Sequence, residues 1–490
     1  MAPMREALKR LTTESAVYGL GQVGGRAVQL LLVPMLTRAL TPGAFGISEL
    51  VIRYSQTAIL ILVLGMDGAL ARFFYHEPDR EARIRMVSSS LVFRLATSAA
   101  VAALAATLAA PLADRLLGGQ AYRKYLMIGA MTLPFTLLVM FANDVLRVTF
   151  QPWKFIALNI TQTTLIASVS LFLVLRRHLD VVGVLYGRLA GDAACAVLGL
   201  VLIRHAVRPR FSRPALRRML SYGIPTVPAA FGFALISGVD GYVLQRTRTV
   251  EELAVYAVAL KFFAVVTMAA SAFQLAYGPF AYARAGTPEA PRLFARVLGA
   301  YMAVASLGAL LVATFAPDVL AVAVPAMYRD AAFPVLWLAF AAVALGAYTV
   351  AAIGIGLALK TPLLGLCAGG GALAAIAAHM VLTPRFGAPG AAVATFLGYA
   401  TVAALTYAIA QRVHPFPYRG ARLASLFALA LALALALHRW APPGAAGVML
   451  KLAVAAGFGW VCMRLEVWKE RGAVAPDWTD AGHAASGTRH

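Results

Sequence analysis

The chain has 490 residues, of which 61% are hydrophobic and only 13% are charged, and its mean hydropathy is +0.77. Roughly a quarter of the residues in soluble globular proteins are charged, so this composition excludes a soluble fold and indicates an integral membrane protein. The formal net charge of +22 would suggest nucleic-acid binding in a soluble protein, but the placement of the charges argues against that function.

Apolar segments of about 20 residues, long enough to cross a hydrocarbon core about 30 Å thick, recur along the whole chain. We count about fourteen predicted transmembrane helices. They span residues 15–37, 45–66, 87–111, 124–147, 155–175, 182–203, 219–245, 253–280, 297–316, 332–358, 362–382, 390–411, 423–438 and 445–463. The predicted fold class is therefore an all-α integral membrane protein, with no soluble domain.

The basic residues indicate how these helices are oriented. If the N-terminus is cytoplasmic, the even-numbered loops and both tails carry about 25 Lys and Arg, against about 12 in the odd-numbered loops. This bias predicts that both termini are cytoplasmic, and it explains the charges as topology signals and contacts with anionic lipids. The first apolar segment lacks a small-residue cleavage site, so we interpret it as a retained helix and not as a signal peptide.

The chain contains an internal repeat with an offset of about 208 residues. Under this shift the stretch LTRALTPGAFGISELVIRY (36–54) falls on LQRTRTVEELAVYAVALKF (244–262), and Arg53 falls on Lys261. Each unit holds six predicted helices, so both copies enter the membrane from the same side, which predicts two parallel lobes with a site between them. Two further matches follow in the same order, one between 110–123 and 316–329 and a weaker one between 175–183 and 383–390.

The repeat divides the chain into predicted regions. A short cytoplasmic N-terminus precedes a first lobe of six helices, and a basic cytoplasmic loop joins that lobe to a second lobe of six. Two further helices and a cytoplasmic tail follow. The predicted boundaries are 1–14, 15–205, 206–218, 219–411, 412–468 and 469–490.

Polar side chains three or four residues apart form one stripe on the first predicted helix and another on the second, and further cations lie at membrane depth in later helices. An ionised group at the centre of a bilayer costs at least about 2.5 kcal/mol, so these side chains should face protein or water. The pattern predicts a shared wet cavity. The candidate cavity residues are Gln22, Arg26, Gln29, Glu49, Arg53, Arg94, Arg188 and Lys261.

Two interpretations of the charged residues stay open. Glu49 and Arg53 are four residues apart, so they can form a self-contained ion pair that only pins helices together, and the same holds for Arg188 and Asp192. Arg26 has no acid within reach on its own helix, so it requires a partner from another helix or an anionic ligand.

Cations outnumber acids at membrane depth, five to four. A net positive cavity favours an anionic substrate, because Arg binds phosphate oxygens through its planar fork. The four acids are Glu49, Asp144, Asp192 and Asp240. Three single titratable residues are candidates for coupling transport to protons, with a structural role at helix ends or in packing as the alternative: Asp67, Asp240 and His379.

Five stretches, mostly with Gly, Pro and Arg at helix ends, follow one another along the chain: GLGQVGG…LLVPMLTRALTPGAFGISEL, LGMDGALARFFYHE, SYGIPTVPAAFGFALISGVDGYVLQ, MYRDAAFPVLWLAF and LTPRFGAPGAAVATFLGYA. In order and spacing they resemble the polysaccharide flippase family of the multidrug/oligosaccharidyl-lipid/polysaccharide exporter superfamily. The resemblance implies two six-helix lobes with two additional C-terminal helices. It also implies that cavity cations such as Arg26 and Arg53 engage a diphosphate. Two departures, Gly241 where Arg is common and His379 where Asn is common, leave the substrate open.

The predicted function is a flippase that moves a polyprenyl-diphosphate-linked oligosaccharide across the bacterial cytoplasmic membrane by alternating access, for cell-surface polysaccharide synthesis. The expected partners are this lipid-linked glycan, membrane lipids and a polysaccharide polymerase. We expect a monomer without catalytic activity, cofactor, metal or nucleic-acid binding. Three single cysteines, without metal-ligand spacing, are expected to be core residues: Cys195, Cys367 and Cys462.

Two other functions remain as alternatives. A cation-coupled multidrug exporter of the same superfamily would share the two lobes, but it would carry more acidic residues among its buried groups. A membrane glycosyltransferase is less favoured, because every predicted loop is short and the sequence contains no Asp-x-Asp motif.

Overall fold

A computed structural model describes residues 32–464, except for 78, 209, 225–226, 285–286, 359 and 361, and the described chain is helical throughout. The helices are α1 (described over 32–39), α2 (Pro42–Leu62), α3 (Met66–His76), α4 (Arg80–Thr107), α5 (Ala109–Leu117), α6 (Arg123–Val148), α7 (Pro152–Arg177), α8 (Asp180–Ile203), α9 (Arg213–Gly223), α10 (Val227–Thr247), α11 (Val250–Arg284), α12 (Ala290–Ala323), α13 (Ala332–Leu357), α14 (Pro362–Val413), α15 (Gly420–Trp440) and α16 (Ala445–Arg464). Short 3-10 helices lie at Gln120–Tyr122 and Ala326–Ala331. The predicted all-α fold class is confirmed.

Within the described residues, nine helices are long and apolar enough to cross a membrane. One of them, α14, has 52 residues and comprises two predicted spans, because Gly387 interrupts it with a φ of 62°. The predicted second, seventh and eighth spans correspond to α2, α10 and α11. These three helices carry the charged residues that the next section describes.

Three helices were not predicted, and they correct several boundaries. α3, α5 and α9 have only 11, 9 and 11 residues. The predicted basic loop 206–218 is helical from Arg213 onwards, because Ser212 caps α9 by accepting a hydrogen bond from the Ala215 amide at 3.4 Å. The predicted seventh span 219–245 is wrong at its start, since α9 ends at Gly223 and α10 begins at Val227.

Helix α4 begins earlier than its apolar segment. Asp79 caps it by accepting hydrogen bonds from the backbone amides of Glu81 and Ala82 at 3.1 and 3.0 Å. An Asp at the N-cap and an acidic residue in the first turn both favour a helix start. The predicted span 87–111 is therefore wrong at both ends, because α4 begins at Arg80 and ends at Thr107.

Helices α7 and α8 form a tightly packed antiparallel hairpin. Gly183, Gly187 and Gly191 of α8 follow one another at every fourth position and face α7. A Cβ atom on Gly187 would lie 2.6 Å from the Cα atom of Ser170, so no larger residue fits there. Small residues permit this close approach of backbones between membrane helices.

The two halves of α14 form a second hairpin, at the position that the repeat predicts. Gly371 and Gly398 approach each other across it, with a Cβ on Gly371 only 2.9 Å from the Gly398 carbonyl oxygen. The connecting residues of both hairpins have positive φ, 52° at His178 and 62° at Gly387. These residues lie in the stretches 175–183 and 383–390, which the repeat aligns.

The first half of the chain (α1–α8) meets the second half (α10–α14) at one end of the bundle. The Phe45 ring packs edge-on against Tyr328, with centroids 6.0 Å apart. Arg38 donates a hydrogen bond of 3.2 Å to the Val322 carbonyl oxygen. We call this the closed end: it contains the start of α2, the end of α10 and the start of α11.

The last two helices pack outside this arrangement. α15 and α16 lie against α12, and α15 also contacts α13. The buried Lys451 of α16 donates to Asp318 of α12 at 2.5 Å, which neutralises its charge. The predicted pair of additional C-terminal helices is therefore present.

Candidate functional site

Helix α2 presents Glu49 and Arg53 on one face. The helix starts at Pro42, and the Thr41 hydroxyl caps it by accepting a hydrogen bond from the Ala44 amide at 3.2 Å. Thr at the N-cap and Pro at the first helical position are both favoured there. Because residues four apart lie one above the other on a helix, both charged side chains point toward the second half.

Arg53 pairs with an acid of the other half of the chain. Its Nη1 atom donates to Asp240 Oδ1 of α10 at 2.5 Å, and Asp240 is 1% exposed. Asp240 also accepts hydrogen bonds from the Tyr256 hydroxyl at 2.8 Å and from the Gly241 amide at 2.6 Å. The buried carboxylate is therefore fully engaged.

Glu49 pairs with Lys261 of α11, with 2.6 Å between Nζ and Oε2. The interpretation of Glu49 and Arg53 as a self-contained pair within α2 is therefore wrong. Both residues face the second half, where Asp240 and Lys261 offer the partners that a lone helix lacks. The two charges on α2 join the halves of the bundle.

Gly241 makes room for this arrangement. A Cβ atom at this position would lie 3.2 Å from Leu50 and 3.5 Å from the Arg53 guanidinium. The sequence departs here from the family that it resembles, in which Arg is common. In this chain the space beside position 241 holds a guanidinium that α2 supplies.

A chain of buried polar groups continues from Asp240 into the second half. The Tyr256 hydroxyl lies 3.1 Å from the Thr395 hydroxyl, which lies 3.4 Å from His379 Nε2. The other ring nitrogen of His379 lies 3.0 Å from the Thr383 hydroxyl. Two predicted coupling candidates, Asp240 and His379, thus belong to one hydrogen-bonded chain.

A small polar cavity of about 100 Å³ lies beside the closed end. Three charged residues line it, Glu49, Arg188 and Lys261, together with polar residues such as Gln56 and Thr163. Glu49 and Lys261 pair with each other, so Arg188 is the lining charge whose counter-ion lies farthest away, at 3.9 Å.

Arg188 is incompletely paired. Its Nε atom is buried without a hydrogen-bond partner and lies 3.9 Å from Asp192 Oδ2, beyond hydrogen-bonding distance. Asp192 accepts hydrogen bonds instead from Thr136 at 2.5 Å and Gln162 at 2.7 Å. The Arg188 side chain is 19% exposed and lines the cavity, so its guanidinium is placed to contact an anion there.

Comparison with known families shows the family to which the chain belongs. The family model described as "Polysaccharide biosynthesis protein" matches residues 11–280, more than half of the 490 residues. The chain belongs to this polysaccharide biosynthesis protein family. A comparison with curated proteins finds no match by sequence.

Solved structures share the fold of this polysaccharide biosynthesis protein. The lipid II flippase MurJ in an inward closed conformation is 13% identical, with a TM-score of 0.71 over 91% of this chain and 98% of that one. A variant of the MATE transporter VcmN of Vibrio cholerae is 14% identical, with a TM-score of 0.60 over 84% and 98%. A multidrug resistance MATE family transporter in an outward-facing conformation is 14% identical, with a TM-score of 0.61 over 85% and 97%. The predicted membrane-transporter fold is thus confirmed.

Arg94 of this polysaccharide biosynthesis protein is placed away from the cavity wall. It is 1% exposed between α4 and α6, where it donates to Asp144 at 2.8 Å and lies over the Phe141 ring at 5.5 Å. Asp144 pairs with Arg147 as well. Arg94 is therefore a packed ion pair of the first half, contrary to the prediction of a cavity cation.

The remaining predicted residues have different outcomes. Gln22, Arg26 and Gln29 lie outside the described residues. Asp67 is exposed in the first turn of α3, where a carboxylate is favoured by the helix dipole, and its coupling role stays a prediction. The three cysteines are free and buried, as predicted.

The predicted excess of positive charge is not present among the described residues. Arg53, Lys261, Arg94 and Arg188 each lie within 4 Å of a carboxylate. Sequence reasoning missed Tyr256 and Thr395, because a hydroxyl that hydrogen-bonds to a group distant in the chain gives no periodic signal.

The described part of this polysaccharide biosynthesis protein contains no cluster of three potential metal ligands from His, Cys, Asp or Glu.

Proposed function

We propose that this chain is a flippase that moves an anionic, polyprenyl-diphosphate-linked oligosaccharide across the bacterial cytoplasmic membrane. Membership of the polysaccharide biosynthesis protein family and the transporter fold support the proposal. The observation that carries it is the position of Arg188, whose nearest ion-pair partner Asp192 lies 3.9 Å away, in a cavity lining that it shares with Lys261.

The ligand chemistry follows from this cavity. An Arg guanidinium can donate to phosphate oxygens through its planar fork, and an ammonium group adds a point charge beside it. Arg188 and Lys261 come from opposite halves of the chain, so one phosphate held between them contacts both halves. A glycan would require a larger aqueous volume.

Transport therefore requires the halves to separate. A cavity of about 100 Å³ is too small for an oligosaccharide, since sites for small-molecule ligands measure about 300–1,000 Å³. We propose that the halves rock against each other so that the cavity opens toward each side in turn, without covalent chemistry. Under the proposed topology, with both termini cytoplasmic, the closed end faces outward.

The test is transport by proteoliposomes that contain a fluorescent lipid-linked oligosaccharide. We expect Arg188→Ala to reduce the transport rate at least tenfold, and Arg188→Lys to reduce it less, because Lys keeps the charge but loses the planar fork. The matched control is Arg177→Ala, which removes an exposed Arg at the end of α7. Normal transport by Arg188→Ala, at normal protein content, would contradict the proposal.

A cation-coupled multidrug exporter is the second candidate, and buried Asp240 with cavity-lining Glu49 favours it. In that case an organic cation would replace Lys261 and Arg53 as partner of the acids. Export of ethidium by proteoliposomes, lost on Glu49→Gln and retained in Arg188→Ala, would support this candidate over the flippase.

A further inference from the structure

The two ion pairs between the halves are reciprocal. The internal repeat places Arg53 and Lys261 at equivalent positions, one in each half. Arg53 of the first half pairs with Asp240 of the second, whereas Lys261 of the second half pairs with Glu49 of the first. Each half thus supplies one cation and one acid to the contact.

Glu49 has two cations within its range. It now binds Lys261 at 2.6 Å, and it stands one helical turn before Arg53 on the same face of α2. An acid and a cation at positions i and i+4 can pair within one helix. A rotation of the Glu49 side chain is therefore sufficient to move its carboxylate from a bridge between halves to a pair inside one half.

We propose that Glu49 is a positioning residue that couples anion binding to separation of the halves. This inference rests on the proposed function. A phosphate that binds Arg188 and Lys261 displaces the Glu49 carboxylate, which then turns to Arg53 and competes with Asp240 for its guanidinium. Both bridges at the contact weaken, and the halves can part around the bound substrate.

The exposure of these side chains fits the proposed order of events, in which the anion first displaces Glu49 and Asp240 then loses Arg53. The side chains of Lys261 and Glu49 are 27% and 19% exposed and line the cavity, so an anion can reach them. Asp240 is 1% exposed and retains hydrogen bonds from Tyr256 and the Gly241 amide when Arg53 leaves. A carboxylate with these donors remains satisfied in part, which lowers the cost of its release from Arg53.

A disulfide reporter at the closed end measures the separation. A Cβ atom on Gly43 of α2 would lie 3.7 Å from the Glu251 carboxylate of α11, so these positions face each other across the halves, and the rate at which Gly43→Cys and Glu251→Cys oxidise together reports how closely the halves approach. The three native cysteines are replaced by Ala in this full-length protein. The probe is inorganic pyrophosphate, with sodium chloride at equal ionic strength as the control for screening.

We expect pyrophosphate to slow disulfide formation several-fold, and Arg188→Ala to abolish both binding and this effect. Glu49→Gln should bind pyrophosphate several-fold more tightly, because Lys261 loses its competitor, while the disulfide rate no longer responds to the ligand. A Glu49 that does not couple the halves would leave the disulfide rate of Glu49→Gln responsive to pyrophosphate. The control Glu81→Gln removes an acid that pairs with Arg208 and Arg210 instead, and should change neither quantity.

The outcomes separate this inference from the proposed function. Binding that depends on Arg188, with an unchanged disulfide rate, overturns the coupling and leaves the anion site intact. Weaker or equal binding by Glu49→Gln also overturns the coupling. No binding of pyrophosphate to the unsubstituted protein removes the anion site and, with it, both proposals.

Discussion

Arg53 of α2 donates a hydrogen bond of 2.5 Å to Asp240 of α10, across 187 positions of the chain and across the boundary between its two halves. Both charges lie at membrane depth, where an isolated ion is costly, and they neutralise each other. The pair therefore permits charged residues in two transmembrane helices and holds those helices together.

This relationship predicts that Arg53→Ala destabilises the protein. The substitution leaves Asp240 buried without its cation, and breaking a buried pair in this way costs about 3–5 kcal/mol. The double variant Arg53→Met, Asp240→Leu should recover most of that loss, because apolar residues of similar volume need no counter-ion. Thermal unfolding in detergent measures both, and a double variant as unstable as Arg53→Ala would contradict the pairing.

The second bridge should show strong energetic coupling between Glu49 and Lys261. We expect the charge swap Glu49→Lys, Lys261→Glu to be more stable than the sum of its single variants, by about 1 kcal/mol or more, because residues in direct contact are not additive. Each single variant places two like charges together. A double-mutant cycle on unfolding free energies provides the measurement, and additive effects would show that the two residues do not interact.

Arg94 should affect stability without affecting the substrate site. Arg94→Met removes a buried cation, but Asp144 retains Arg147 as a partner, so the protein should fold with reduced thermal stability. The pyrophosphate affinity per folded molecule should stay within about twofold, since Arg94 does not line the cavity and shares no partner with Arg188 or Lys261. A large loss of pyrophosphate affinity in a stably folded Arg94→Met variant would support the original prediction that Arg94 is a cavity residue.

The hairpin of α7 and α8 should not tolerate a side chain at Gly187. Gly187→Ala places a methyl group against the Ser170 backbone, and overpacking of this kind costs about 1–3 kcal/mol. The matched control is Gly308→Ala in α12, where a Cβ atom meets nothing within 4 Å. Equal thermal stability of the two variants would contradict the close packing.

The proposed orientation predicts which positions are accessible from outside the cell. Cysteines introduced at Arg83, Arg213 and Arg292 should resist an impermeant thiol reagent in intact cells, because these basic positions, in the first turns of α4, α9 and α12, are predicted to be cytoplasmic. Cysteines at Gly119 and Arg248 should react readily. The reverse pattern would invert the proposed topology.

The sequence alone determined the membrane class, the order of the helices and the internal repeat. These properties depend on apolar segments of fixed length and on turn residues at hairpins, which are local in the chain. The short helices α3, α5 and α9 were missed for the same reason, because their 11, 9 and 11 residues give too brief a periodic signal.

Only the tertiary structure decided which charges pair. Along α2, the acid nearest to Arg53 is Glu49, and spacing alone favours that pair. In the bundle, Asp240 and Lys261 come within 2.5 and 2.6 Å of these two residues because α10 and α11 pack against α2. Ion pairing at membrane depth follows distance in space and the need to neutralise every charge, and the sequence specifies the charges without specifying which helices become neighbours.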